Sequence, residues 1–450
     1  MNTLTRSAAA LPLSTHDLAL TASTIDPQPT HEFTLDNGLK IIVREDHRAP
    51  VVISQLWYRI GSSYEMPGQT GLSHALEHMT FKGSSKTGPG EYSLILRNLG
   101  AEENAYTSDD CTVYHHTLAR DLLGVALELE ADRMTTLTLP ADEFSREIEV
   151  IKEERRMRSE DDPQGKALER FYALAFPSSG YHNPTIGWMA DLERMTIGEL
   201  RRWYEAWYAP NNATLVVVGD VQPGEVKALA ERFFGAIPRR DLPPSKTPLE
   251  LTEPGERKIT LHVNTQLPRL IYGFNVPGMA TAEDMRSVNA LRLIAALLDG
   301  GRSARIATQL KRGEELVSGA STSYDAFTRG DSLFMIKAVP NPQKKITLAD
   351  VEAGLWRLLV DLKTILPSAE ELERARAQVI ANMVYERDLI ESQATMIGTL
   401  ETIGLPWKLM DGEQEALQSV TPQDIQNAAN LYFTRERLSI AHVLPEEKVQ

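Results

Sequence analysis

Cysteine is nearly missing from this chain: Cys111 stands alone in 450 residues, so no internal disulfide staples the fold. Its segment has strand character, where a small half-buried side chain is expected rather than a reactive thiol. Long apolar runs are missing too; none reaches the ~18 to 20 residues that cross a bilayer, and no membrane span is expected. Basic residues fall short of acidic ones, 47 against 62, giving a net charge of −15. That balance disfavours nucleic acid and anionic membrane as partners and would draw in a basic substrate. The opening stretch, MNTLTRSAAALPLSTHD, holds one arginine and no sustained apolar run. The expected location is therefore cytoplasmic, or periplasmic if a signal peptide was removed. Residues 1–28, rich in Ser, Thr, Ala and Pro, are expected to form a flexible arm.

Apolar residues make up 42% of the chain, enough for real cores, and 450 residues exceed the size at which one core stops growing, so two domains are expected. An internal repeat supports this. Thr196-Ile197-Gly198-Glu199-Leu200 leads through Trp207-Tyr208 to a strand, and Thr421-Pro422-Gln423-Asp424-Ile425 leads through Tyr432-Phe433 to another, at an offset of 225 residues. The proline-rich stretch Ile237 to Pro254 has the composition of a linker. The division expected is thus a first domain over 29–236, a linker over 237–256 and a second domain over 257–450. FTLDNGLKIIV, with its Asp36-Asn37-Gly38 turn, reads as an opening hairpin. The fold class expected is α+β, two similar α/β domains, each a largely antiparallel sheet packed with helices.

The chemistry concentrates at His74-Ala75-Leu76-Glu77-His78. On a helix, residues three and four apart share a face, so both imidazoles can reach one metal ion while Glu77 lies beside them, ready to take a proton from water. The order is the inverted H-x-x-E-H pattern. A catalytic zinc site needs a third protein ligand. Pro140 to Arg158 reads as a long helix with acids at its start and bases at its end. Glu147 and Glu154 lie two turns apart there, and Glu143 and Glu154 three turns apart, so periodicity alone does not choose among them.

HALEHMTFKGS, NAYTSDDCTVY at Asn104 to Tyr114 and EIEVIKEERRM at Glu147 to Met157 together resemble the pitrilysin/insulinase metallopeptidases, closest to the processing-peptidase group. The resemblance spans roughly residues 30 to 445 and includes the Tyr181 to Gly187 and Tyr208 to Ala213 segments, for which structural roles are expected; His182 is expected to be a plain loop residue. It implies one zinc per chain bound by His74, His78 and Glu154, the last standing 76 residues past His78. It further implies Glu77 as the base, Glu147 as an acidic support, and Asn104, Ala105, Tyr106 and Thr107 as a sheet edge holding a peptide substrate as an added strand. The two halves would form a clamshell around a cavity, the second being metal-free: aligned on the first, it puts Leu291, Ile294 and Ala295 opposite His74, Glu77 and His78.

One departure stands out. Where the family's second domain carries an arginine and a tyrosine that stabilise the oxyanion, this chain has Lys311 and Ser318, with Arg312 one residue off and Tyr324 too far along. Lysine lacks the bidentate fork, and serine is too short. The expectation is a zinc endopeptidase acting as the zinc-bearing half of a heterodimer whose homologous subunit supplies the Arg and Tyr. A self-sufficient homodimer and a non-catalytic assembly protein are the alternatives.

Overall fold

Glycine at the third position of the Asp36-Asn37-Gly38 turn takes a left-handed φ of 91°, and the hairpin closes there: β1 (Thr30–Thr34) pairs antiparallel with β2 (Lys40–Glu45). The Asn37 amide donates to the carbonyls of Phe234 and Ile237 at 2.8 and 2.9 Å, tying this hairpin to the far end of the same half. The computed structural model describes residues 28–446, so all but the last residue of the proposed arm lies outside the described residues.

Runs of β-branched and aromatic residues supply the other strands of the first sheet, β3 (Val51–Tyr58), β4 (Glu102–Thr107), β5 (Thr112–Ala119) and β6 (Ala213–Gly219). The strand order is β1-β2-β6-β3-β5-β4. Only β2 and β6 run parallel; the other pairs are antiparallel. The second half repeats the plan with β7 (Arg257–Val263), β8 (Arg269–Val276), β9 (Val317–Tyr324), β10 (Ser332–Pro340) and β11 (Leu438–Pro445), ordered β7-β11-β8-β10-β9. Again one pair, β7 with β11, is parallel. The two α/β domains stand in tandem.

The repeat extends to local chemistry. Helices Ile197–Trp207 and Pro422–Tyr432 each start from a threonine whose hydroxyl and backbone exchange hydrogen bonds with an acid three residues on, Glu199 or Asp424. Such a capping box satisfies two otherwise orphaned donors. The strands that follow, β6 and β11, begin 225 residues apart. Between the halves, residues 238–256 contain no helix or strand. This strap is pinned: Glu250, buried within it, accepts from the backbone N–H groups of Ser178 and Ser179.

Each half lends a helix to the other. Helix Pro163–Ala175, from the first half, covers one face of the second sheet, burying Ala167, Phe171 and Ala175 against Val263, Ile271, Leu333 and Val443. Helix Ile390–Thr402, from the second half, covers the corresponding face of the first, with Ala394 and Ile397 against Ile53, Trp57, Val216 and Val218. Both contacts are close: a Cβ on Gly273 would come within 2.8 Å of Phe171, and one on Gly398 within 2.0 Å of Trp57. Cys111 is buried in the turn before β5 rather than half-buried in a strand, and burial pushes its thiol up to about 12.

The exchange gives a direct test. Gly398→Ala should cost about 1–3 kcal/mol or more by overpacking against Trp57, read from urea unfolding. Gly412→Ala, with open space around its Cβ, should be neutral or slightly stabilising.

Candidate metal and catalytic site

The motif lies on helix Leu72–Met79. Its start lacks a side-chain cap of its own; Gly71 occupies the N-cap position with φ of 89°. The buried carboxylate of Glu65 reaches in instead, accepting from the N–H groups of Gly71 and Ser73 at 2.6 and 2.7 Å. An anion there suits the positive end of the helix. Burial nevertheless pushes the Glu65 carboxyl up to about 8, with the two N–H groups pulling the other way.

The Tyr181 to Gly187 segment braces the same turn. A Cβ on Gly71 would meet the Ile186 carbonyl at 2.8 Å, and one on Gly187 would meet the Gly71 Cα at 2.7 Å. Thr70 accepts from the Trp188 N–H at 2.9 Å and donates to Asp191 at 2.6 Å. Sequence reasoning missed Glu65 and Asp191. The signal for Glu65 was legible: an acid just ahead of a helix whose N-cap is a glycine.

The long helix expected downstream spans Ala141–Arg155 and runs on into a wider π-helical turn, Arg156–Glu160. Of its acids, Glu143, Glu149 and Glu153 pair with Arg146, Lys152 and Arg156. Glu154 instead turns one oxygen to the imidazoles, its Oε2 lying 3.7 Å from His74 Nε2 and 3.5 Å from His78 Nε2. One ligand atom from each of the three residues lies within 4.8 Å of the others. Zinc holds nitrogen and oxygen ligands at about 2.0–2.2 Å, which puts tetrahedral donors roughly 3.3 Å apart. Two imidazole nitrogens and a carboxylate oxygen at these separations fit one such ion.

Support comes from two sides. Glu154 Oε1 forms an ion pair with Arg158 at 2.8 Å, leaving Oε2 toward the imidazoles. His78 Nδ1 lies 2.9 Å from Glu147 Oε1, so that Nδ1–H donates and Nε2 keeps its lone pair. Lys82 sits 2.5 Å from the other Glu147 oxygen. Burial would raise the Glu147 carboxyl, but the hydrogen bonds from His78 and Lys82 outweigh it and hold it low. Burial, then the charges of His78 and Arg158, bring His74 down to about 3, keeping its ring neutral.

Glu77 lies one position before His78, and burial pushes its carboxyl up. Thr107 donates to its Oε2 at 2.6 Å. The four expected substrate residues therefore divide. β4 is an edge strand paired only with β5. Alternation puts Thr107 and Ala105 on the Glu77 side and turns Asn104 and Tyr106 to the other. Tyr106 stands edge-on to Trp57, with ring centroids 6.1 Å apart, and Asn104 Oδ1 accepts from the Ala105 N–H at 2.9 Å.

In the second half Leu291 and Ile294 are buried in its core with Ala295 packed against it. Lys311 is exposed in the π-helical segment Ile306–Gly313. Ser318, second in β9, donates to the carbonyls of Val339 and Pro340. Arg312 donates to the Arg302 carbonyl at 2.7 Å and Tyr324 to the Pro277 carbonyl at 2.6 Å. His182 approaches the Phe176 carbonyl, away from the cluster.

The chain and its fold have known relatives. The family model described as Insulinase (Peptidase family M16) matches residues 40–187, and that described as Peptidase M16 inactive domain matches residues 194–379. The zinc protease PqqE of Helicobacter pylori is 30% identical over 414 residues, 90% of each chain. A solved protease from Helicobacter pylori superimposes with a TM-score of 0.86 at 27% identity, covering 93% of this chain and all of that one. A peptidase M16 inactive domain from Pseudomonas fluorescens shares the fold at a TM-score of 0.82 and 17% identity, over 93% of this chain and 98% of that one.

Removing the Glu65 carboxylate leaves two buried N–H groups unpaired. Glu65→Ala should therefore lower stability by about 1–3 kcal/mol, measured as a shift in the urea midpoint at unchanged slope.

Proposed function

Because this chain belongs to the insulinase peptidases, family M16, we infer that it is a zinc-dependent endopeptidase that hydrolyses peptides or unfolded segments within an enclosed cavity. The observation that carries this reading is the meeting of His74, His78 and Glu154 from two separate helices, with Glu77 alongside. In it, His74, His78 and Glu154 would hold one zinc per chain, which when bound would supply Lewis acidity toward water and the substrate carbonyl.

Glu77 accepts the proton of the attacking water and returns it to the departing amine. A raised carboxyl suits both halves of that task. Thr107, donating to Oε2, fixes the carboxylate's orientation, so the proton moves on the remaining oxygen, which has no hydrogen bond among the described residues. Glu147 holds the His78 tautomer. The edge of β4 takes the peptide as an added strand through backbone hydrogen bonds, with Asn104, Ala105 and Tyr106 along it.

Lys311 and Ser318 support the reading that a homologous subunit supplies the oxyanion-stabilising Arg and Tyr. The chain is then the zinc-bearing half of a heterodimer.

Glu77→Gln should keep zinc while losing about 10²- to 10⁴-fold in turnover; turnover near the parent rate would contradict the base assignment. Glu147→Gln should weaken zinc binding by about 10- to 100-fold, measured by competition with a chromogenic chelator. The isolated chain should cut unstructured peptides about 10²- to 10³-fold more slowly than with a related subunit carrying the Arg and Tyr. Full-rate cleavage by the chain alone would refute the division of labour.

A further inference from the structure

A pocket lies between helix Pro163–Ala175 and the sheet face it covers, with a volume of about 400 Å³. Ala167, Leu168, Val263 and Val443 make its walls apolar, and none of its lining residues is acidic. Two of them are cationic, Arg269 and Lys337. Strand register puts both on one face: Lys337 of β10 stands opposite Ile271, two residues along β8 from Arg269.

Neither cation has a counterion among the described residues. In a chain with a net charge of −15, Arg269 and Lys337 make no ion pair and no side-chain hydrogen bond among the described residues, and the buried Nε of Arg269 finds no acceptor. Asp162, next to the pocket, has both oxygens committed to the N–H groups of Gln164 and Gly165. Long basic side chains often lay an apolar stem on a surface and keep the charge in water. At Arg269 the Nε is nonetheless shielded from water with no acceptor, and burial with nothing opposing it pulls Lys337 down. A buried donor left unmade is costly, and a ligand oxygen removes the cost.

The pocket's position ties it to the metal cluster. Pro163 and Gln164 follow the turn whose Arg158 holds Glu154, and Gln164 is ten residues past Glu154. Arg155 and Glu169 clamp the two helices together with bonds of 2.8 and 3.1 Å. On its other side the pocket is lined by Gly319, Ala320 and Ser321 of β9, the edge strand of the second sheet. An extended peptide can pair along such an edge.

We propose that this pocket is a carboxylate subsite, in which Arg269 and Lys337 hold an acidic group of a bound peptide, either its C-terminal carboxylate or an Asp or Glu side chain. The proposal rests on the peptidase reading but is tested by binding rather than by cleavage. The apolar walls favour an aliphatic residue beside the charge, and the subsite selects peptides by an anion in spite of the chain's overall negative charge.

The experiment uses the full, zinc-loaded chain with Glu77→Gln, so that probes stay intact, and fluorescence anisotropy of three labelled peptides ending in leucine: one with a free C-terminus, one amidated, and one amidated with an internal glutamate. A peptide bearing a carboxylate should bind about tenfold more tightly than the neutral amide; the free-terminus and glutamate probes distinguish the two sources. Arg269→Gln with Lys337→Gln should erase the difference, and Lys337→Arg alone should retain it. Matched thermal midpoints, and unchanged affinity for the neutral amide, report that the variants fold. Equal binding of all three peptides, or a preference that survives the double substitution, overturns the subsite. Cleavage of the neutral amide by the parent chain together with a related subunit carrying the Arg and Tyr, tested with and without chelator, is read separately. Its absence counts against the peptidase reading and leaves the binding result standing.

Discussion

Glu154 must reach two imidazoles that belong to another helix, and separations of 3.7 and 3.5 Å leave little room for error. A shift of one helix by an ångström would take a carboxylate oxygen out of range of a shared ion. Much of the first half acts on this constraint. Glu65 and the Gly71 to Gly187 contact anchor the start of the motif helix. Glu147 ties its far end to the second helix through His78, and Arg158 pairs with the Glu154 oxygen that faces away from the imidazoles. The hydrogen bonds closest to the cluster are charged or charge-assisted, the kind that combine strength with direction.

The same demand extends across the molecule. The helix bearing Glu154 continues through the π-helical turn into helix Pro163–Ala175, which is buried on the second sheet rather than the first. The second half answers with helix Ile390–Thr402 on the first sheet. Neither sheet is covered on both faces by its own half, so the halves stabilise each other. The buried clasp of Arg329 with Asp110, together with Tyr181 donating to the same carboxylate, adds a polar bond across the join.

The repeat was legible because it rests on local chemistry: a capping threonine, an acid three residues on and an aromatic helix end survive in both copies. The motif helix and the long acidic helix were legible for the same reason. Which of Glu143, Glu147 and Glu154 meets the histidines was not, since one helical period serves several; it takes the packing of two helices to turn Glu143 out to Arg146, Glu147 to His78 Nδ1 and Glu154 to both Nε2 atoms. Glu65 left one trace, an acid ahead of a helix that starts on glycine, and went unread because its carboxylate reaches in from six residues before the N-cap. The helix exchange was hidden because Phe171 and Ile397 read only as apolar, with nothing to name the sheet they cover. At β4, four consecutive residues read as one substrate edge, but the pleat separates Thr107, on Glu77, from Asn104 and Tyr106.

X-ray absorption at the zinc edge bears most directly on the central claim. The account predicts one zinc per chain with two imidazole nitrogens and oxygen donors at about 2.0–2.2 Å, no sulfur in the first shell, and loss of that signature in Glu154→Ala. A sulfur at about 2.3 Å, or an unchanged zinc environment in Glu154→Ala, would contradict it.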